Sequence, residues 1–344
     1  MKYDYARLAP EQLRRFTCDQ RQIAGIRRFL MDDGRARGNR CFEVDNGAGL
    51  RFSVYPDRGM DIGPASYKGV PLSFQAPAGD TLSAFYQPAG AGWLRTWGGG
   101  LLTGCGLTNV GAPDDFDGEE VGLHGLLSHL PAENCSVSED FEDGTLRLCV
   151  CGTMRQASMF GENLHLHRRI STAMGESSIK IQDRIYNRGP RPSRLMILYH
   201  INLGYPLLSP KAYLEAPEHS VEARDETAAA GMDQWAQCAE PQPGWTEQCF
   251  YHDIPADETG FSRIALCNPE LGLRLETACR KDELPWITQW KQMGESEYVL
   301  GLEPGNCHVE GASSERERGT LKIIQPGESV NTEVHINLSE NEYG

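Results

Sequence analysis

The stretch GTLRLCVCGTMRQ, at residues 144–156, decides the fold class. Its apolar residues Leu146, Leu148 and Val150 occupy every second position, with polar or small side chains between them. Side chains of an extended chain point alternately to opposite faces. The pattern therefore predicts a β-strand with one face in a core.

Patterns on either side of this stretch predict a further strand and one helix. SIKIQDRIY at 178–186 alternates in the same way, and the turn residues NRGP at 187–190 end it. PEQLRRF at 10–16 consists mostly of good helix formers, with Leu13 and Phe16 three positions apart. We expect one short helix there and strands and turns in the rest of the chain.

Turn signatures predict how the strands are connected. NPELG at 268–272 separates two short strands as a hairpin would, and PGE at 326–328 does the same between 321–324 and 330–338. The chain has 37 glycines and 20 prolines, so such signals recur throughout. Frequent turns between short strands are typical of a sandwich or barrel, not of alternating β-α units.

We therefore predict an all-β fold, a large antiparallel β-sandwich with a short N-terminal helix. A single domain is expected to cover residues 1–344, with 1–20 as an N-terminal extension. Residues 206–244 have the weakest strand character and are expected to form excursions over the surface.

Charge and cysteine content limit the partners and the compartment. The net charge is −15, from 33 Lys and Arg against 48 Asp and Glu, which disfavours nucleic acid and favours a neutral small ligand. No run of eighteen apolar residues occurs, and the N-terminus lacks a signal-peptide pattern, so we expect no membrane association. Eleven cysteines without disulfide-like spacing predict reduced thiols and a cytoplasmic location.

Three segments place a titratable side chain among apolar or small residues. The first is GLHGL at 122–126, where His124 lies between small residues that would let a ligand approach. It follows GGGLLTGCG at 98–106, a run expected to open the floor of a cleft. The alternative is that His124 only caps a turn.

The second segment is LMILYHIN at 195–202, whose two faces are both mostly apolar, as in a central strand. His200 near its end is either a hydrogen-bonded core histidine or a proton donor and acceptor. The third is EYVLGLEPGN at 297–306, where an apolar run ends at Glu303. Partial burial there would raise the pKa of Glu303 and make it a general base, although a carboxylate bonded to turn amides is the alternative.

Other patterns give no support for a metal or a cofactor. Cys149 with Cys151, and His165 with His167, each offer two ligands on one strand, whereas zinc sites use more ligands at wider spacing. The glycine runs lack the Lys-Ser/Thr ending of a phosphate loop. We predict no metal and no cofactor.

Taken together, the three segments resemble the galactose mutarotase (aldose 1-epimerase) superfamily, in which Leu-His-Gly, a histidine ending a central strand and a C-terminal glutamate follow in this order. The matching residues are Leu123-His124-Gly125, Tyr199-His200-Ile201-Asn202-Leu203 and Leu302-Glu303-Pro304. The closer resemblance is to a bacterial branch of uncharacterised aldose-epimerase-like proteins. It is carried by DRGMDI at 57–62, by 98–106 with NVG at 109–111, and by GLEPG at 301–305, and it covers residues 20 to 335.

The resemblance implies a β-supersandwich that binds a sugar in an open cleft and interconverts its two anomers without a cofactor. By position, Glu303 would be the base, His200 the acid and His124 a substrate-positioning partner. The expected substrate contacts are Arg95, Arg58, Asp61, His252 and Trp290, with Arg58 and Asp61 equally explained as a buried ion pair. Aromatic side chains cover the apolar faces of sugars. Of Trp93, Trp97, Trp286 and Trp290, we expect one to contact the ligand.

Two other functions remain open. The same sandwich would serve as a sugar-binding protein without turnover, although binding alone does not require a matched acid and base. A different sugar isomerase would act on a C–H bond with help from a metal at His165, His167 or His252. The expected partner is a small sugar and no nucleic acid or membrane, for a monomer or homodimer.

Overall fold

The structure, a computed structural model, describes residues 10–340. Within them the chain forms 24 strands and three short α-helices, α1 (Pro10–Arg14), α2 (Glu226–Ala230) and α3 (Ala312–Arg318). The first twelve strands are β1 (Gly25–Leu30), β2 (Arg40–Asp45), β3 (Leu50–Tyr55), β4 (Asp61–Tyr67), β5 (Val70–Pro71), β6 (Phe74–Gln75), β7 (Gly99–Gly100), β8 (Leu102–Leu107), β9 (Asp114–Phe116), β10 (Glu119–Val121), β11 (Glu133–Glu142) and β12 (Thr145–Ala157). The others are β13 (Asn163–Ala173), β14 (Ser178–Asn187), β15 (Ser193–Gly204), β16 (Tyr213–Glu215), β17 (Ser220–Ala223), β18 (Gln248–Asp253), β19 (Phe261–Asn268), β20 (Leu273–Arg280), β21 (Trp286–Gly294), β22 (Glu297–Gly305), β23 (Lys322–Ile324) and β24 (Ser329–Glu340).

Two large sheets contain most of these strands. The first sheet has twelve strands in the order β1-β2-β3-β4-β8-β15-β22-β21-β18-β17, with β5 beside β4 and β23 beside β15. The second has eight, in the order β11-β12-β13-β14-β24-β20-β19-β16, and β6 with β7 and β9 with β10 form two small pairs. All pairings between these strands are antiparallel. The predicted all-β antiparallel sandwich is therefore confirmed.

The central strand β15 separates two apolar clusters. Ile197, Tyr199 and Ile201 belong to the main core, which also contains the inward side chains of the second sheet. Met196 and Leu198 point the other way and join a smaller cluster on the outer face of the first sheet. Because both faces are covered, β15 is apolar along nearly its whole length, as its sequence predicted.

Three of the four local strand and turn predictions are confirmed. All of the stretch 144–156 except its first residue, Gly144, falls within β12, residues 178–186 fall within β14, and residues 268–272 connect the hairpin of β19 and β20. The prediction for 326–328 is wrong. That turn does not close a hairpin, because β23 pairs with β15 in the first sheet while β24 pairs with β14 and β20 in the second.

The N-terminal helix and the weakly strand-like segment also match their predictions, with one difference. Helix α1 ends at Arg14, two residues early, so Leu13 is buried whereas Phe16 is exposed. Residues 206–244 contain only β16, β17 and α2 as strands and α-helix. All eleven cysteines are free thiols. In the described part of the chain, no helix has the length and apolarity needed to cross a membrane.

Candidate active site

A row of polar side chains crosses the middle of the first sheet on its outer face. Thr103 on β8 is the cross-strand neighbour of His200 on β15, and Thr288 on β21 is the neighbour of Glu303 on β22. The Ile201–Leu302 pair between β15 and β22 brings His200 and Glu303 together as well. Register alone thus joins residues that are far apart in the sequence.

His200, Glu303 and Thr288 of this row form the floor of a cavity of about 360 Å³. All three predicted catalytic residues line it, and so does Trp290. The full lining consists of Trp93, Leu94, Trp97, Gly111, Ala112, Pro113, Leu123, His124, His200, Arg224, Glu247, Cys249, Thr288, Trp290, Glu303 and Val309. Its volume lies at the lower end of the range for small-molecule sites, and its walls are mostly apolar with few polar groups, as is usual for such sites.

His200 and Glu303 form a close buried pair. His200 Nε2 lies 3.2 Å from Glu303 Oε1, and the two side chains are 6% and 2% exposed. The geometry is not that of a hydrogen bond, and Glu303 Oε1 has no other hydrogen-bond partner among residues 10–340. A buried acceptor left without a donor is available to a ligand hydroxyl.

Burial shifts the pKa values of the pair in opposite directions. Loss of hydration raises the pKa of Glu303 well above 4.5, with the nearby charge of Glu247 adding to the rise and Arg224 opposing it. Loss of hydration also lowers the pKa of His200 to about 4, with Asn202 opposing. Both shifts favour neutral forms, so at neutral pH the pair holds one titratable proton, preferentially on Glu303. A pair of Glu303 carboxylate and His200 imidazolium is disfavoured, because a site without water stabilises ions poorly.

Gly301 makes room for the Glu303 carboxylate. A Cβ atom at position 301 would lie 2.2 Å from Glu303 Oε1 and 3.0 Å from the Cβ of Trp290. Gly301 is two residues before Glu303 on β22, so both point to the same face. The missing side chain lets the carboxylate fold back along the strand beside His200.

His124 reaches the cavity from a strained backbone position. Its φ is +57°, a left-handed conformation uncommon for residues other than glycine. The Gly111 N–H donates to His124 Nδ1 at 3.3 Å, and the His124 ring lies 5.4 Å from the His200 ring. Burial and then His200 lower the pKa of His124 well below 6.5. The ring is therefore neutral, and its Nε2–H is a hydrogen-bond donor.

Three of the four candidate tryptophans, Trp93, Trp97 and Trp290, line the cavity. Trp97 and Trp290 lie 5.7 and 5.5 Å from the His200 ring, and Trp93 lies 4.8 Å from the His124 ring, measured between centroids. Trp97 Nε1 donates to Thr103 Oγ1 at 3.1 Å, which fixes the plane of that indole. Trp286 instead packs edge-on against His308 outside the cavity.

The sequence interpretation missed three polar residues of the cavity. Arg224 Nη2 donates to Glu247 Oε1 at 3.1 Å, and Trp290 Nε1 donates to Glu247 Oε2 at 2.7 Å. Thr288 is 1% exposed, and its Oγ1 has no hydrogen-bond partner among the described residues. No local pattern marks Arg224, Glu247 or Thr288, since their proximity depends on the pairing of β17, β18, β21 and β22.

Arg58 and Asp61 do not line the cavity, contrary to their predicted substrate contact. The Arg58 guanidinium donates to the backbone oxygens of Ser128, Thr81 and Thr96, 2.8 to 2.9 Å away. Asp61 Oδ1 accepts from the Gly104 N–H at 2.8 Å, and burial raises the pKa of Asp61 to about 7. Arg58 binds backbone oxygens of neighbouring segments and Asp61 binds a backbone N–H of strand β8, so the contacts of both residues are structural.

Arg95 and His252 also lie outside the cavity. Arg95 is exposed at the end of a 3₁₀ turn, where its backbone oxygen accepts from Arg35 Nη1 at 3.0 Å. His252 is fully buried, with Nδ1 2.8 Å from His219 Nε2 and Nε2 3.0 Å from Gln289 Oε1. On β18 its neighbour Tyr251 pairs with the cavity residue Thr288, so His252 points to the opposite face.

The glycines near His124 serve backbone packing, not an open cleft floor. A Cβ at Gly99 would lie 2.7 Å from the Phe74 oxygen, and one at Gly100 would lie 2.6 Å from the Ile62 oxygen. A Cβ at Gly125, where φ is +69°, would lie 2.5 Å from the Gly106 oxygen. These positions let neighbouring chain segments approach each other closely.

The histidines and cysteines that the sequence offered as possible metal ligands lie apart from this site. His167 Nδ1 contacts Thr153 Oγ1 at 2.6 Å, and His165 Nε2 contacts Asn163 Oδ1 at 3.0 Å, on the second sheet. Cys149 and Cys151, on β12 of the same sheet, have their sulfur atoms 3.4 Å apart. Within residues 10–340, no three His, Cys, Asp or Glu side chains are grouped so that they would hold a metal ion.

A family model described as "Domain of unknown function (DUF4432)" matches residues 36–338. The chain belongs to the DUF4432 family. No functionally curated protein matches the sequence of this DUF4432 chain. Solved structures do match its fold, as follows.

A candidate aldose 1-epimerase from Klebsiella pneumoniae superposes on this DUF4432 chain with a TM-score of 0.88 at 23% identity, over 97% of this chain and 87% of the other. A galactose mutarotase-like protein from Clostridium acetobutylicum gives 0.62 at 12% identity, over 93% and 99%. The galactose 1-epimerase of Lactobacillus acidophilus gives 0.61 at 12% identity, over 93% and 100%. The resemblance to the galactose mutarotase superfamily is confirmed, and at these identities it establishes the fold.

Proposed function

We propose that this protein is an aldose 1-epimerase that interconverts the α and β anomers of a free, neutral monosaccharide. The observation that carries the proposal is the pair of Glu303 and His200, 3.2 Å apart on the floor of a cavity lined by three tryptophans. The relatives described as epimerases and mutarotase-like proteins support the same reaction class.

Anomer exchange requires two proton transfers, and this pair can supply both. Ring opening removes the proton from the C1 hydroxyl and adds one to the ring oxygen. If Glu303 takes the first proton and His200 gives the second, the ionised pair becomes a neutral carboxyl and imidazole. Burial favours that neutral state, so ring opening starts from the less populated ionised form and its proton transfers run towards the more stable form of the pair. After rotation about C1–C2, closure runs the same transfers backwards and gives the other anomer.

The remaining cavity residues fit the binding of a sugar ring. Trp93, Trp97 and Trp290 offer flat apolar surfaces for the C–H faces of a pyranose. His124 Nε2–H, Thr288 and the Arg224–Glu247 pair offer donors and acceptors for ring hydroxyls. No step requires a redox cofactor or a covalent nucleophile. With eleven free thiols, we assign this activity to the cytoplasm, with the sugar as partner and the protein as a monomer or homodimer.

Saturation-transfer NMR on a panel of aldoses tests the proposal. Each α-anomer signal is saturated, and transfer to the β-anomer is measured with and without the protein. We expect exchange of at least one neutral aldose to rise in proportion to protein concentration, above the spontaneous rate. If no neutral hexose or pentose exchanges faster with the protein present, the proposed activity is wrong.

A further inference from the structure

Glu247 lies at the centre of a hydrogen-bonded chain at the cavity wall. One carboxylate oxygen accepts from Trp290 Nε1 at 2.7 Å, and the other accepts from Arg224 Nη2 at 3.1 Å. Trp290 and Cys249 are cross-strand neighbours, and Arg224 Nη1 lies 3.0 Å from Cys249 Sγ. Trp290, Glu247, Arg224 and Cys249 therefore form a closed ring of contacts. This ring holds Glu247 and Arg224 beside the Trp290 indole, which faces His200.

Among residues 10–340, Arg224 is the only lysine or arginine that lines the cavity. Its charge is already matched by two carboxylates, since Nε lies 2.8 Å from Asp225 Oδ2 and Nη2 lies 3.1 Å from Glu247 Oε1. Asp225 also caps helix α2 by accepting from the Ala228 N–H at 2.9 Å. A carboxylate or phosphate on a ligand would thus meet no unmatched cation here.

We propose that Glu247 is the specificity residue by which this site rejects sugars that carry a carboxylate or a phosphate. The inference rests on the proposed function and adds the charge class of the sugar. A ligand anion beside Arg224 would have to displace Glu247 or lie next to it, and either arrangement brings two like charges together. A neutral sugar meets no such repulsion, because its hydroxyls both accept from Arg224 and donate to Glu247.

The pair suits neutral sugars for a second reason. An arginine has five N–H donors. Three of those of Arg224 bind Asp225, Cys249 and Glu247. Each Glu247 oxygen accepts one hydrogen bond in the structure and has capacity for another. Spare donors beside spare acceptors match two adjacent hydroxyls on a sugar ring.

The substitution Glu247→Gln tests the proposal because it removes one charge and keeps an acceptor for Trp290 Nε1. With the Glu247 carboxylate gone, only Asp225 still balances the charge of Arg224, and Arg224 Nη2 can donate to a ligand anion without repulsion from Glu247. The probes are glucose with glucuronate and galactose with galacturonate, which differ only at C6. The matched control is Glu215→Gln, which breaks a similar pair with Arg274 (3.2 Å) on the second sheet, far from the cavity.

Binding is measured by calorimetry and anomer exchange by NMR, each at low and high ionic strength. We expect the wild type to bind each neutral sugar at least about tenfold more tightly than its uronate, a difference of about 1.4 kcal/mol. Glu247→Gln should reduce that ratio about tenfold or more, and Glu215→Gln should leave it unchanged. Added salt should weaken the wild-type discrimination, since screening reduces repulsion between partly exposed charges.

Three results would overturn the inference: equal binding of sugar and uronate by the wild type, an unchanged ratio in Glu247→Gln, or no binding of any probe. A failure of the proposed activity gives a different outcome. In that case the binding ratio changes as expected in Glu247→Gln, while neither the wild type nor either variant accelerates anomer exchange. The two measurements therefore separate the charge filter from the reaction.

Discussion

His200 Nε2 and Glu303 Oε1 lie 3.2 Å apart across neighbouring strands, and both side chains are almost completely buried. Burial pushes the pKa of the imidazole down and that of the carboxyl up, so each group favours its neutral form. The pair therefore keeps one titratable proton over a wide pH range. A pair with one proton can give a proton and take another in the same event, as the opening of a hemiacetal requires.

The pH dependence of exchange should show a broad plateau. Activity requires one titratable proton on the pair. The rate should therefore fall only near pH 4, where His200 is protonated and the pair holds two, and at alkaline pH, where Glu303 loses its proton and the pair holds none. An ordinary histidine with a pKa of about 6.5 would instead lower the rate about tenfold at pH 5.5. We expect the rates at pH 5.5 and 7, corrected for spontaneous mutarotation, to agree within about twofold. A tenfold fall between them would contradict this assignment.

Glu303→Gln should stabilise the protein, and more so at high pH. The pKa of Glu303 is higher in the folded than in the unfolded chain, so the folded protein holds an extra proton above pH 4.5 and loses stability as the pH rises. Glutamine has no such dependence. Thermal unfolding at pH 5 and pH 8 should show a Tm difference, variant minus wild type, that grows with pH. Glu215→Gln is the control, and a difference independent of pH would contradict the prediction.

Gly301→Ala should impair exchange without unfolding the protein. The new Cβ would lie 2.2 Å from Glu303 Oε1, so the carboxylate must turn away from His200. Misplacing a reacting group by about 1 Å can cost about a hundredfold in rate, and we expect a loss of roughly ten- to a hundredfold. Gly294→Ala is the control, because the nearest atom to its Cβ would be at the end of the flexible Gln292 side chain, at 3.3 Å. Equal rates for the two variants, with circular dichroism unchanged, would exclude the proposed role of Gly301.

His124→Asn should weaken sugar binding more than it slows the reaction. Asparagine tolerates the φ of +57° but lacks the Nε2–H donor. Loss of one neutral hydrogen bond should raise KM roughly two- to tenfold and change kcat less. His335→Asn, on the second sheet, is the control. A fall in kcat as large as that of Glu303→Gln would place His124 in the proton transfer instead.

The sequence predicted the fold well because strand patterns are local. Alternation at 144–156 and 178–186 identifies β12 and β14 without knowledge of their partners. The turn at 326–328 was misassigned, because a turn sequence does not show that β23 and β24 belong to different sheets. Whether two consecutive strands form a hairpin or belong to different sheets depends on long-range pairing, which leaves no local signal in the sequence.

The site was predicted in part for the same reason. His124, His200 and Glu303 lie in short motifs that the resemblance identifies, and the structure brings them to one cavity. His252 was misplaced by one position, since only the register of β18 shows that odd-numbered residues there face the cavity. Glu247 and its partners come together through pairing that no motif encodes.

The central claim is that Glu303 and His200 act as one unit, and a double-mutant cycle on anomer exchange tests it most directly. Exchange rates are measured by saturation transfer for the wild type, Glu303→Gln, His200→Asn and the double variant, with the spontaneous rate subtracted. We predict that each single variant loses about 10²- to 10⁴-fold and that the double variant is no slower than the worse single one. Losses that multiply in the double variant, or a Glu303→Gln protein that exchanges anomers as fast as the wild type, would contradict the account.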